Sequence, residues 1–160
     1  MNIYIDNQSI GDLAKNRDFL KDITCLEDIT LILSKGVRLE LEHPNTPEEV
    51  KHTGESIEDT ASYFGFSDLS PTAGGFGQGK YITEEAVNFI NANTGNALAS
   101  SGLKKHFVDS ELGALFFDDP SGRLITSDKR LIKRLLSHNQ ELKDRIFSAD
   151  EFLESLNKMK

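Results

Sequence analysis

Apolar, strand-like stretches alternate with helix signals along this chain, and no hairpin turn signal joins two of the strands. Antiparallel neighbours need a short turn built on Gly, Asn or Asp chemistry. Parallel strands need helical crossovers instead, and those helices cover the faces of the sheet. The expected fold class is therefore α/β: a central parallel sheet in a three-layer α/β/α arrangement.

The strand-like stretches are NIYID (2–6), VRLEL (37–41), with Val37, Leu39 and Leu41 on one side, RLIT (123–126) and RIF (145–147). Helix starts are read at Ser9, with Asp12 three residues on, and at Thr24, with Glu27. The second carries Leu26, Ile29 and Leu33 at helical spacing and stops at Gly36. Thr46, Pro47 and Glu49 give a third start, and Ile57, Ala61 and Phe64 indicate a further helix. Thr83 opens one with Ala86, Val87 and Ile90. HFVDSELGALFF (106–117) is helical, with Val108, Leu112, Leu115 and Phe116 apolar. Asp128 caps a helix carrying Leu131, Ile132 and Leu135, and Ser148 and Glu151 cap the last one. With no repeats, heptads or dividing linker, residues 1–160 read as one domain, with a Gly-, Ser- and Pro-rich loop insertion at 65–82.

That insertion contains GGFGQGK (74–80), which matches G-x-x-x-x-G-K. A phosphate cradle of this kind follows a buried strand and opens a helix at its lysine, with a hydroxyl next to it for magnesium. Here SDLSPTA precedes it, Tyr81 follows Lys80, and the helix start at Thr83 comes three residues late. Each departure removes a physical part of the cradle, so a nucleotide site is the weakest reading. A surface loop is the plain one, and a flap whose Lys80 touches a phosphate lies between.

The 26 acidic and 18 basic residues give a formal net charge of -8, which does not suit a protein that coats nucleic acid nonspecifically. An acidic metal site beside a small basic patch is compatible with it. Cys25 is the only cysteine, so no internal disulfide is possible. His43, His52, His106 and His138 are scattered and form no zinc motif. No signal h-region and no apolar run of spanning length are present, and the expectation is a cytoplasmic protein with no membrane partner.

In an open parallel sheet, ligands bind beyond the carboxyl ends of the strands. Asp6 ends the first strand, and Asp128 directly follows RLITS. Glu48 and Glu49 stand in the first turn of the helix after VRLEL, and Asp109 opens the helix before RLIT. Singly, Glu49, Asp109 and Asp128 are ordinary helix caps or first-turn acids, and Asp6 is a strand end. Together they place four carboxylates at one sheet edge. Clustered carboxylates repel unless a cation offsets them. Oxygen donors suit Mg2+ or Mn2+, and such a site supports attack of water on a phosphodiester.

At this point the chain resembles the PIN-domain ribonucleases. The resemblance runs through IYIDNQSI (3–10), LELEHPNTPEEV (39–50), FVDSELGALFFDDPSGRLITSDKRLIKRL (107–135) and IFSADEFLESL (146–156), leaving 51–105 unmatched. It matches the family's first-strand aspartate to Asp6, its helix-opening aspartate to Asp109, and its threonine-x-aspartate turn to Thr126, Ser127 and Asp128. Its glutamate falls on Glu49, with Glu48 and Glu42 as alternatives. The resemblance implies a PIN-like sheet, a Mg2+ or Mn2+ site on Asp6, Glu49, Asp109 and Asp128, and endonucleolytic cleavage of RNA. A toxin role with an antitoxin or other protein partner, and a homodimer, are further implications. Asn7 and Gln8 depart from the hydroxyl usual after the first aspartate, with Ser9 one residue late. Those departures keep open a catalytically inactive module that binds RNA or a protein.

The basic residues flank the proposed site. Arg130, Lys133 and Arg134 share a side of the helix after Asp128, and Lys104 and Lys105 precede Asp109. With Lys80 they are the expected RNA-phosphate contacts, against the plainer reading of solvated charge.

Overall fold

The computed structural model describes residues 1–15, 28–58, 62–64, 83–94 and 106–158. Asn2–Ile5 forms β1 and Asn7–Ala14 forms α1, capped by Asp6. Thr30–Ser34 forms β2, and Lys35–Leu41 follows at once as α2, capped by Ser34. Glu48–Glu58 is α3 and Ser62–Phe64 is β3. Glu84–Asn93 is α4, capped by Thr83, and Phe107–Phe117 is α5. Arg123–Ile125 is β4, Lys129–His138 is α6, and a 3-10 turn over Gln140–Arg145 leads into β5, Ile146–Phe147. Ala149–Asn157 is α7, with Ser148 and Glu151 forming the expected capping box.

The strands form one sheet in the order β3-β2-β1-β4-β5, and every adjacent pair is parallel. The α/β class expected from the alternation is therefore observed. Two apolar clusters lie on opposite faces of the sheet, because successive strand residues point to opposite sides. Ile3, Ile5, Leu31, Leu33 and Ile125 meet Ile10, Leu13, Val37, Leu41 and Phe152 from α1, α2 and α7. Tyr4, Ile32 and Leu124 meet Phe89, Leu112, Phe116, Leu131 and Leu135 from α4, α5 and α6. Helices thus cover both faces. Among the described residues no helix is long and apolar enough to cross a membrane.

Several local readings are corrected. VRLEL is not a strand: residues 37–41 are the body of α2, and the second strand is TLILS, part of which the sequence places in a helix. Val37 and Leu41 are buried one helical turn apart, while Leu39 is 52% exposed. Gly36 does not stop a helix but lies in the first turn of α2. A Cβ there would sit 2.9 Å from Val108 Cγ2 and 3.0 Å from Glu111 Oε2, so its absence admits α5. Helix α1 begins two residues before Ser9, with Asp6 rather than Ser9 as its cap. Thr46 gives its hydroxyl to the Glu40 carbonyl at 2.8 Å instead of capping α3. Phe64 belongs to β3, not to a helix. The Thr24–Glu27 signal, the GGFGQGK stretch and Lys80, Lys104 and Lys105 lie outside the described residues.

At the amino edge of the sheet, Asp119 accepts from Asn2 Nδ2 at 2.6 Å, Tyr4 Oη at 3.0 Å and the Ser121 hydroxyl at 2.9 Å. Arg145 donates to the carbonyls of Asp119 and Gly122 at 2.6 and 3.2 Å and lies over Phe116. Burial and the Asp119 charge push the Tyr4 hydroxyl's pKa upward. The network ties β1 to the turn before β4, and its polar groups satisfy one another.

Candidate acidic site at the carboxyl edge

From β1 the chain moves outward to β2 and β3, then returns to the other side of β1 for β4 and β5. The reversal falls between β1 and β4, where such sheets leave a crevice at their carboxyl ends. Asp6 and Asp128 follow those two strands.

Asp6 is 7% exposed. Its Oδ1 accepts the Ser9 N–H at 2.6 Å and its Oδ2 accepts the Thr126 hydroxyl. Thr126 Oγ1 in turn accepts the Asp128 N–H at 3.1 Å, so one buried hydroxyl links the two strand ends. Asp128 Oδ1 caps α6, accepting the Arg130 and Leu131 N–H groups at 2.7 and 3.3 Å. The helix-cap roles of Asp6 and Asp128 are thus real, and they bring both carboxylates to the same edge.

Burial pushes the Asp6 carboxyl above the usual carboxylate range, and the Asp128 charge adds to the rise. The hydrogen bonds from Thr126 and Ser9 only moderate it. The Ser9 hydroxyl is fully buried and near enough to Asp6 to lower its pKa, yet it makes no hydrogen bond of proper geometry.

Glu40 is an acid at this edge that the sequence pattern does not single out. It stands on α2, half-buried, and its Oε2 accepts Asn7 Nδ2 at 2.9 Å. Its carboxyl is also raised, first by burial and then by the charges of Asp109 and Asp6, against the Asn7 hydrogen bond. Glu49, which the resemblance matches to the family's glutamate, is exposed at the start of α3. There it adds, after Asp12 and Asp150, to the field that raises the pKa of Lys15 at the C-terminal end of α1. Asp6 caps the opposite end of that helix, about 12 Å away at 1.5 Å per residue. Glu48 is exposed too and lies 3.9 Å from Lys51. Glu42 pairs with Arg38 at 3.0 Å. The signal that finds Glu40 is Ser34, whose side chain accepts the Val37 N–H at 3.1 Å after an apolar run and so opens a helix there.

Asp109 lies in the first turn of α5, half-buried. It pairs with Arg134 of α6, and His106 Nδ1 lies 3.7 Å from its Oδ2. His106 precedes α5 in the left-handed region, φ 62°, the one non-glycine residue with positive φ among those described. Arg130 and Lys133 are exposed on the same helix as Arg134.

Asp128, Asp6, Glu40 and Asp109 are therefore linked in sequence by their fields. The donors are all hard oxygens, which suits Mg2+ or Mn2+. Among the described residues no three His, Cys, Asp or Glu side chains are close enough to hold an ion together. Asp109 is turned to Arg134. The donor type suits a divalent cation, but as placed these side chains do not form a site for one. No protein-family model, curated protein or solved structure matches the chain.

Proposed function

We infer that the protein is a metal-dependent endoribonuclease of the PIN-domain type, using Asp6, Glu40, Asp109 and Asp128. The observation that carries this reading is the meeting of Asp6 and Asp128 at the reversal of the sheet through the buried Thr126 hydroxyl, with Glu40 near enough for the charges of Asp109 and Asp6 to act on it. Acids gathered at one edge repel one another unless a cation offsets them, which supports a cation-binding role. The strand order, with the acids at its reversal, supports the family assignment.

A bound Mg2+ or Mn2+ supplies acidification of water and stabilisation of charge on a leaving oxygen. Asp6 and Asp128 are held for this by Thr126, and Glu40 is oriented by Asn7. Arg130 and Lys133, exposed beside Asp128, contact RNA phosphates on either side of the scissile bond. Arg134, the third basic residue of that helix, is engaged by Asp109.

The second reading is a PIN-like module that binds RNA or a protein without cutting. The Arg134–Asp109 pair favours it, because a guanidinium already neutralises one of the acids.

The test is incubation with structured and single-stranded RNAs, with and without Mn2+, beside Asp6→Asn and Asp128→Asn variants checked for folding. Mn2+-dependent cleavage lost in both variants is the expected result. Equal cleavage by wild type and variants removes these residues from the activity. No cleavage, together with a melting temperature indifferent to Mn2+, leaves the binding module.

A further inference from the structure

We propose that Glu111 is a positioning residue: from α5 it holds residues 35–41 as the helix α2, and through α2 it sets the place of Glu40. The consequence for catalysis rests on the reading of this edge as a nuclease site, whereas the hold on α2 does not. Glu111 is 2% exposed, and a carboxyl taken out of water is costly unless its oxygens are hydrogen-bonded. Its Oε2 accepts the Gly36 N–H at 2.8 Å. Asp109 and Glu111 stand two residues apart on α5, so they leave it on different sides, Asp109 to Arg134 of α6 and Glu111 to α2.

Residues 35–41 need such a hold. Seven residues are too few for a helix that stands alone, which takes about 12–15. Gly36 and Val37 are weak helix formers, and the alternation of Val37, Leu39 and Leu41 also suits a continuation of β2. The first N–H groups of a helix have no acceptor within it. Here the Val37 N–H goes to Ser34 Oγ at 3.1 Å, a local cap, and the Gly36 N–H goes to Glu111, 75 positions away. Gly36 makes that contact possible, because a Cβ there would sit 3.0 Å from Glu111 Oε2. At the far end of α2, Glu40 accepts from Asn7 Nδ2 at 2.9 Å. The step from Gly36 to Glu40 spans about 6 Å as helix and about 13 Å as strand. Only the helix leaves Glu40 beside Asn7.

The test is amide hydrogen exchange by NMR on wild type, Glu111→Met and Glu111→Gln, without RNA or metal. Met keeps the length of the side chain and removes the acceptor, while Gln keeps a carbonyl oxygen. In the wild type the Gly36 amide should exchange slowly although its own helix offers it no acceptor, and fast exchange there overturns the proposal without any variant. In Glu111→Met, protection across residues 36–42 should fall about tenfold, the order of a buried donor left unpaired, and the Asn7 side-chain amide signal should move. The amides of β1 and β4 should keep their protection, because the opening is local. Glu111→Gln should restore most of the protection in α2. An equal fall in α2, β1 and β4 makes Glu111 a contributor to global stability only and overturns the positioning role. So does unchanged protection in Glu111→Met, or a Gln variant no better than Met. Should Glu111→Met fail to fold, the Gly36 amide in the wild type and in Glu111→Gln decides. Failure of the nuclease reading changes none of these readouts, and an unmoved α2 overturns the positioning role alone.

Discussion

At the scale of single residues, Thr126 does more than its neighbours. Buried to 1% exposure, its hydroxyl donates to Asp6 and accepts from the Asp128 N–H, so it sets the separation of two carboxylates from different strands. Thr126→Val keeps the shape and removes both bonds. The expected loss is about 1–3 kcal/mol, the cost of leaving a buried polar group unsatisfied. The Asp6 pKa should rise further, because that hydrogen bond lowers it. Thr126→Ser keeps the hydroxyl and should cost about 1 kcal/mol for the lost methyl. Urea unfolding of the two variants, with carboxyl titration by NMR, checks the expectation, and equal losses for Val and Ser refute it. Asp6, Asp109 and Asp128 were legible in the sequence because each is marked by its own strand end or helix start. Glu40 was not, because its place depends on which segment forms the second strand.

At the scale of elements, that segment is where the sequence misleads. Val37, Leu39 and Leu41 alternate as in a strand, but Val37 and Leu41 are also one helical turn apart. A five-residue window supports both periods. Only the surroundings decide: TLIL fills the sheet position beside β1, and the next residues must leave the sheet as a helix with Leu39 outward. Gly36 records how tightly that helix approaches α5. Gly36→Ala gains about 1 kcal/mol of helix propensity. Its Cβ would sit 2.9 Å from Val108 Cγ2 and 3.3 Å from Val108 Cα, and backbone cannot step aside as a flexible side chain can. Overpacking of this kind costs about 1–3 kcal/mol, so net destabilisation in chemical denaturation is expected, and a stabilised variant refutes the close approach.

At the scale of the molecule, the order β3-β2-β1-β4-β5 gathers the acids, and their cost should show as a pH dependence. Asp6 and Glu40 have folded pKa values raised above their ordinary ones. Their protonated forms are therefore favoured by folding. That contribution is fully present below the ordinary carboxylate range and is lost as pH rises through the raised values. Without metal, Asp6→Asn should flatten this part of the profile. Mn2+ acts in the opposite sense, because it binds the deprotonated carboxylates. Its stabilisation should grow from mildly acidic to neutral pH, toward about 2.7 kcal/mol at a hundredfold excess over Kd. Thermal melts across pH with and without Mn2+ test this, and an increment that does not change with pH counts against carboxylate ligation.

What the sequence alone determined is local in origin. Helix caps at Thr83, Asp128 and Ser148, apolar stretches at β1 and β4, and the missing hairpin turns each act over a few residues, and together they specify parallel α/β. The partner of a carboxylate is not a local property. Glu40 and Asp6 are 34 positions apart and Asp109 lies 69 beyond Glu40, so only the strand order brings their fields together. The exposed Glu49 and the half-buried Glu40 look alike as first-turn or late-turn acids in sequence. Tertiary packing separates them, because it decides which one loses its water.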